Sequence, residues 1–361
     1  NLIIVNSGGL TIENITFDGK NVADNSGGVF IAGSSKFVMN SGATIKNFIT
    51  NYNSGGGLRL NDGTADKHVV ANINGGQITN NQSVCPEGDC GSGGIHMGYY
   101  TELTIENAEI TNNHANSVGG IYSVGKLTMN SGTISNNSSD NDGGGIGCDS
   151  CTFTMNGGEI VKNTAQYAGG GLYLNMLDST RVYSVFNYNN GTISNNTSTG
   201  TGGSANVMNN VATTGDASLS SLENITINDK VTNFSYNESN YYRIITGLNG
   251  SAGITAYYQG TVNATDLIIF QNSGTNRFRP TISKIENGKV YYAFQITHAT
   301  DQWIWVEGNS SVPGTNVYTY QMHGNNGGFW TLENAGDGYY YVKNINGLCL
   351  SVNGTSTANY T

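Results

Sequence analysis

Asp140 and Asp142 frame the run DND, and Glu106, Glu109 and Glu159 lie in neighbouring stretches of the chain. Two carboxylates held on one face are the equipment of general acid–base cleavage, one giving a proton while the other accepts one or attacks. The run is flanked by Ser and Gly, which predicts solvated turn positions for both Asp side chains. His68, His96, His114, His298 and His323 follow no spacing that would assemble a metal cluster or a triad, and Lys and Arg are equally scattered. His114 extends an Asn-rich position and is expected to face solvent. No catalytic residue is assigned on this basis, and neither a cofactor nor a metal is expected.

The cysteines offer sharper spacing. Cys85-x4-Cys90 and Cys148-x2-Cys151 superficially have the separations of zinc ligands. The stretch GGIGCDSCT at 144–152 also contains the Gly-Gly-x-Gly-x-Asp core of a calcium-binding nonapeptide. That pattern works in tandem, because each ion is held between successive turns. Here there is one copy, with Cys151 where a large apolar residue belongs, so an ordinary Gly-rich corner is expected.

What positions these residues is a repeat. An Ile followed closely by Asn recurs at Ile15, Ile45, Ile78, Ile110, Ile134, Ile160 and Ile193, at intervals of 30, 33, 32, 24, 26 and 33 residues. Each is followed by a glycine cluster, and most units close with a third apolar segment such as KFVMNSG, KLTMNSG or FTMNGG. Three short strand-like segments per unit are too few for a sheet of their own, and helix formers are scarce. Stacking the units solves this: each makes one coil of a parallel β-helix, its strands pair with those of the neighbouring coils about 4.8 Å away, and insertions leave through the corners. Asn80-Asn81, Asn112-Asn113, Asn136-Asn137 and Asn195-Asn196 then fall at equivalent places, where their amides can bond up and down the stack. The seven Ile side chains are expected to form one inward row.

Register within the repeat also bears on the cysteines. Cys85 and Cys90 lie between an Asn-Asn segment and a glycine cluster, whereas Cys148 and Cys151 lie between a glycine cluster and the third segment two units later. They belong to different corners, which favours two local disulfides, Cys85–Cys90 and Cys148–Cys151, over a shared zinc site, as suits an exported protein. Cys349 is expected to pair beyond the end of this chain.

Composition narrows the function classes. With 51 Gly among 361 residues, 11% charged residues and a net charge of -10 on 15 Lys and Arg, the chain has no material for the basic stripe of a nucleic-acid binder. It has no run of about 18 apolar residues and so no transmembrane segment. It opens at Asn1 without Met and stops at STANYT in mid-pattern, so both ends read as cut, within a longer parent.

The Gly-Gly-x-Ile and x-x-Asn-Asn repeats over roughly residues 1–210 resemble those of polymorphic-outer-membrane-protein-like and adhesin-like bacterial surface proteins. The resemblance implies an all-β chain built on a right-handed parallel β-helix, a pectin-lyase-like solenoid. Near Phe294 the character changes. All three Trp lie C-terminal to that point, and GFWTLENAGDGYYYVKNINGLCLSVNGTSTAN resembles a ricin-type β-trefoil lectin, with its Trp-ending Q-x-W element and its Cys-Leu-Asp-Val strand. The organisation expected is coils over 1–219, terminal coils and a cap over 220–293, and a partial trefoil, truncated at its C-terminus, over 294–361. In this family sugar is held by a carboxylate, a stacking aromatic ring and a nearby amide. Here Trp305 and Ser351 stand where the family has Asp, and Gly328 where it has Gln. Tyr320 fits the stacking position, His323, Asn325 and Asn326 the polar contacts, and Trp330 the packed core of the module.

Together these features imply an exported bacterial protein, extracellular or at the cell surface, a monomeric rod whose β-helical stalk presents a lectin-like module to host glycans or plant polysaccharide. The alternatives are a polysaccharide lyase or glycoside hydrolase with catalytic coils, and a structural spacer without binding.

Overall fold

The computed structural model describes residues 2–23, 27–51, 55–85, 91–177, 182–199, 211–213, 226–229, 234–237, 243–244, 252–256, 265–271, 277–286, 289–297, 299–321, 326–337 and 339–351. It is all-β, and its contacts divide it into one unit of residues 1–231 with 285–288 and a second of 232–284 with 289–361.

The first unit is a β-solenoid with four walls of parallel strands. The first wall stacks Val29–Ile31, Leu58–Leu60, Ile95–Met97, Ile121–Ser123, Ile146–Asp149 and Leu172–Leu177. The second runs from Gly9–Ile12 through Thr101–Ile105, Lys126–Met129 and Thr152–Met155 to Thr226–Asp229. Thr16–Asp18, Gln77–Thr79, Glu109–Thr111, Thr133–Ser135 and their equivalents make the third. A fourth wall of two-residue strands, among them Gln82–Ser83, His114–Ala115 and Ser138–Ser139, adds to the three segments expected per unit. It carries no apolar signature, since its inward residues are Ser, Thr and Ala.

Alternation along each strand sends one set of side chains to the core. Ile45, Ile78, Ile110, Ile134, Ile160 and Ile193 form a continuous buried row in register along the third wall. Ile15 is corrected: it is 43% exposed, and Phe17 is the residue paired with Ile45. The reason lies in the corner, where the chain turns two residues after the inward side chain. Gly19 stands at that distance from Phe17, as Asn47 does from Ile45, and its N–H donates to the Lys46 carbonyl.

The two residues of each Asn pair do different work. The first, at Asn80, Asn112, Asn136 and Asn195, has φ of 54–56°, the left-handed region that Asn tolerates better than most residues. The second forms the ladder. Asn81, Asn113, Asn137, Asn163 and Asn196 are buried, and each Nδ2 of the first four donates to the next Oδ1 at 2.9–3.0 Å. The same Oδ1 accepts the backbone N–H of the preceding coil's Asn at 2.9–3.0 Å. Each Nδ2 also donates to a preceding Ile carbonyl, as from Asn137 to Ile110 at 2.9 Å. Asn163 belongs to this column although Lys162 precedes it, with φ 58°.

Coil spacing is kept tight by a column of glycines lying against the ladder amides. A Cβ placed on Gly57, Gly94, Gly120 or Gly145 would come within 3.0 Å of the carbonyl oxygen of the equivalent glycine in the next coil. After Phe234–Asn237, which adjoins Thr226–Asp229 in the second wall, the described strand pairings are antiparallel, beginning with Ala252–Ala256 against Thr265–Gln271.

Candidate functional site

In the second unit, Lys289–Ile296 pairs with Ala299–Val306 and with Trp330–Gly336. Ala299–Val306 pairs in turn with Val317–Tyr320, and Trp330–Gly336 with Tyr339–Asn344. Trp303, Trp305 and Trp330 are all buried in this sheet. Trp330 donates its Nε1–H to the Ile304 carbonyl at 3.1 Å, so it is spent on packing and on a backbone acceptor. Trp305, at the position where the resemblance calls for an Asp, lies flat beneath Gly327 and Gly328, where any side chain would collide with the indole. It cannot present a carboxylate's chemistry, and its face is covered.

Tyr320 is half-buried. Its ring sits 5.8 Å from that of Trp305 and meets that of Tyr318 edge-on at 5.9 Å. Tyr318 holds its phenol proton more firmly than usual because of burial, the Glu307 carboxylate and Tyr320. Tyr320 thus belongs to a fixed aromatic group with a phenol at its margin. His323 and Asn325 lie outside the described residues, and Asn326 begins the short turn Asn326–Gly328.

In the coils, Asp140 is an exposed corner residue that accepts from Asn116 Nδ2 at 2.9 Å and pairs with His114 Nε2 at 3.7 Å. Asp142 accepts the Ala168 N–H at 2.8 Å. Glu106 accepts from Asn130, and Glu109 from Gln77. These carboxylates are each engaged by a neighbouring coil. His114 is half-buried, its Nδ1 2.9 Å from Ser138 Oγ. Cys148 and Cys151 form a disulfide with Cα atoms 5.3 Å apart, joining the first wall to the second, and are thereby removed from any zinc site. Cys85 is also disulfide-bonded, while its expected partner Cys90 lies outside the described residues. Cys349 is a free, exposed thiol.

Stacking assembles one group that sequence reading missed. On the outer face of the first wall, Phe30, Arg59, His96, Tyr122, Gly147 and Tyr173 are in register. The Arg59 guanidinium lies over the Phe30 ring at 5.5 Å, and the rings of His96 and Tyr122 stack at 5.0 Å. Tyr122 donates its OH to Asp149 Oδ2 at 3.0 Å. Burial, and then the charge of Arg59, lower the His96 pKa to about 3, so the imidazole is neutral at ordinary pH. Burial also weakens the hold of Arg59 on its proton, which a guanidinium nevertheless keeps at neutral pH. The signal was the glycine column: each member of the row stands two residues after an aligned glycine, as in Gly57-Leu58-Arg59 and Gly94-Ile95-His96.

A family model described as a ricin-type beta-trefoil lectin domain-like matches residues 276–361. The chain therefore carries a ricin-type β-trefoil lectin-like domain there, beside its β-solenoid. No curated protein matches the chain. Among solved structures it is similar to ThreeFoil, a designed 3-fold symmetric protein, at 26% identity over 33% of this chain and 84% of that one, with a TM-score of 0.30. It is similar also to an exo-beta-1,3-galactanase from Clostridium thermocellum, at 15% identity over 36% of this chain and 28% of that one, TM-score 0.30. A mosquitocidal holotoxin is 19% identical over 34% of this chain and 15% of the holotoxin, TM-score 0.30.

Proposed function

We propose that this chain is an exported glycan-binding protein in which the β-solenoid serves as a stalk and the module at 276–361 meets carbohydrate on a host surface or on plant polysaccharide. The match of that segment to the lectin-like family is the observation that carries the reading. The aromatic group of Trp305, Tyr318 and Tyr320 supports it, because a half-buried ring edged by a phenol offers a sugar both an apolar face and a hydrogen-bonding oxygen. The disulfide between Cys148 and Cys151 supports an oxidising, extracellular or cell-surface location. The engagement of Asp140, Asp142 and Glu106 by adjoining coils supports a scaffolding role for these carboxylates.

A glycan array probed with the chain tests this. The expected outcome is weak binding that strengthens when the protein is displayed multivalently, since a shallow single site relies on avidity. Replacing Tyr320 by Ala should reduce it about tenfold, which is the loss of one ring contact worth about 1.4 kcal/mol. An array blank at every density, for wild type as for Y320A, would sink the reading. Release of new ends from pectin, xylan or mucin glycans by the chain would favour the polysaccharide-cleaving alternative instead.

A further inference from the structure

An Asn-Gly step carries a chemistry of its own. The glycine nitrogen can attack the side-chain carbonyl carbon of the asparagine before it, because no side chain on the glycine stands in the way. The described side chains include those of four such asparagines: Asn74, Asn156, Asn190 and Asn346. Three are held away from this reaction. Asn74 donates its Nδ2 to Asn40 Oδ1 at 3.0 Å. Asn156 donates to Asn130 Oδ1 at 2.8 Å and accepts from Asn189 Nδ2 at 2.6 Å. Asn346 donates to the carbonyls of Asn309 and Ser310 at 3.1 and 3.2 Å, and the Gly347 N–H is spent on the Asn344 carbonyl at 2.9 Å.

Asn190 is arranged the other way. It is exposed, and its Oδ1 accepts the N–H of its own successor, Gly191, at 2.9 Å. The corner around it is fixed. The N–H groups of Asn189 and Asn190 both donate to the Met155 carbonyl, at 2.9 and 3.3 Å, and the Tyr188 OH donates to the Gly191 carbonyl at 3.0 Å. Gly191 has φ 116°, and a Cβ there would stand 2.5 Å from Met155 Cε, so packing and backbone direction both demand glycine.

We propose that Asn190 is a site of self-modification, where the chain converts this amide to aspartate and isoaspartate through a cyclic imide with Gly191. The Gly191 nitrogen gives its proton to hydroxide and forms a bond to Asn190 Cγ. The side-chain nitrogen takes up a proton and leaves as ammonia. Water then opens the ring at either carbonyl: cleavage of the new C–N bond gives aspartate, and cleavage of the original peptide C–N bond gives isoaspartate. Holding a nucleophile beside the group it attacks removes much of the entropic cost of the step, and the hydrogen bond between Gly191 N–H and Asn190 Oδ1 does this. Exposure of Asn190 admits the hydroxide and water that the reaction consumes. Isoaspartate carries the main chain through the former side chain and so lengthens it by a methylene. The change falls just before Thr192 and Ile193, which pair with Glu159 and Ile160 in the third wall.

The test incubates the full chain in mildly alkaline water labelled with heavy oxygen, folded and in urea. Mass spectrometry of peptides cut at mildly acidic pH follows each Asn-Gly step, and electron-transfer fragmentation separates aspartate from isoaspartate. In the folded chain the label should enter at Asn190 at least about tenfold faster than at Asn74, Asn156 or Asn346, as a mixture of both acids, with the preference gone in urea. Asn190→Gln, whose longer side chain must close a larger ring, should abolish conversion at that position and leave the other steps unchanged. Conversion of Asn190 no faster than that of Asn74 or Asn156 overturns the proposal. So does a product that is aspartate alone, since direct hydrolysis makes no isoaspartate. A preference for Asn190 that persists in urea belongs to the flanking sequence and also overturns it.

Discussion

Between the third and fourth walls of the solenoid runs a column of buried amides, Asn81 to Asn196, that touches mainly its own kind. At the centre of the C-terminal module stand Trp303, Trp305 and Trp330, each packed in a different way. The coils solve one packing problem and copy the solution, so the inner positions are fixed and the outer ones are released to carry chemistry. The module solves its problem once, and its buried Trp305 packs against Tyr320, the ring proposed above to meet sugar. A repeat therefore separates inner from outer positions face by face, whereas the module draws buried and half-buried rings into one group.

That contrast can be tested by substitution, with all three Trp residues reporting on the module and far-ultraviolet circular dichroism dominated by the coils. The largest effect is expected from Trp330→Ala, which removes a fully buried indole and its bond to the Ile304 carbonyl. A loss of about 4 kcal/mol should appear in the fluorescence transition, with the coil transition unmoved. Loss of both transitions together would show that the two regions are one cooperative body. Next comes Asn137→Leu. It leaves the Asn113 N–H and one hydrogen of the Asn113 amide without their acceptor and the Ile110 carbonyl without its Asn137 donor, while the Asn163 oxygen keeps only the backbone N–H of residue 137, and it should cost about 3 kcal/mol in the dichroism-monitored transition. An effect below about 1 kcal/mol would mean that the ladder is ornament to the apolar row. The smallest effect should be a gain. Lys162 holds a left-handed φ of 58° at the position where other coils have Asn, so Lys162→Asn should stabilise by about 0.5–1 kcal/mol in thermal melts.

The coil period was legible because every unit must present the same inward Ile and the same corner. The division of labour within each Asn pair was not, since sequence alone does not say which Asn turns the backbone and which bonds. The fourth wall escaped because Ser138–Ser139 and its equivalents look like loop. At the first coil, residue type points to Ile15, whereas distance to the turn selects Phe17. Arg59, His96 and Tyr122 are far apart in the chain and become neighbours only through stacking, so only their shared place two residues after an aligned glycine could mark them. In the module, Trp330 was readable as core from its motif, while the covering of Trp305 by Gly327 and Gly328 depends on a contact between distant segments.

The amide ladder also has a direction. Each Asn oxygen is the acceptor for the backbone N–H of the coil before it, never of the coil after it. A ribosome delivers this protein from the N-terminus, so a newly made coil leaves its own donor in water until the next coil arrives with an oxygen. A chain that folds in that order seals the corner N–H of each coil only when its successor is in place.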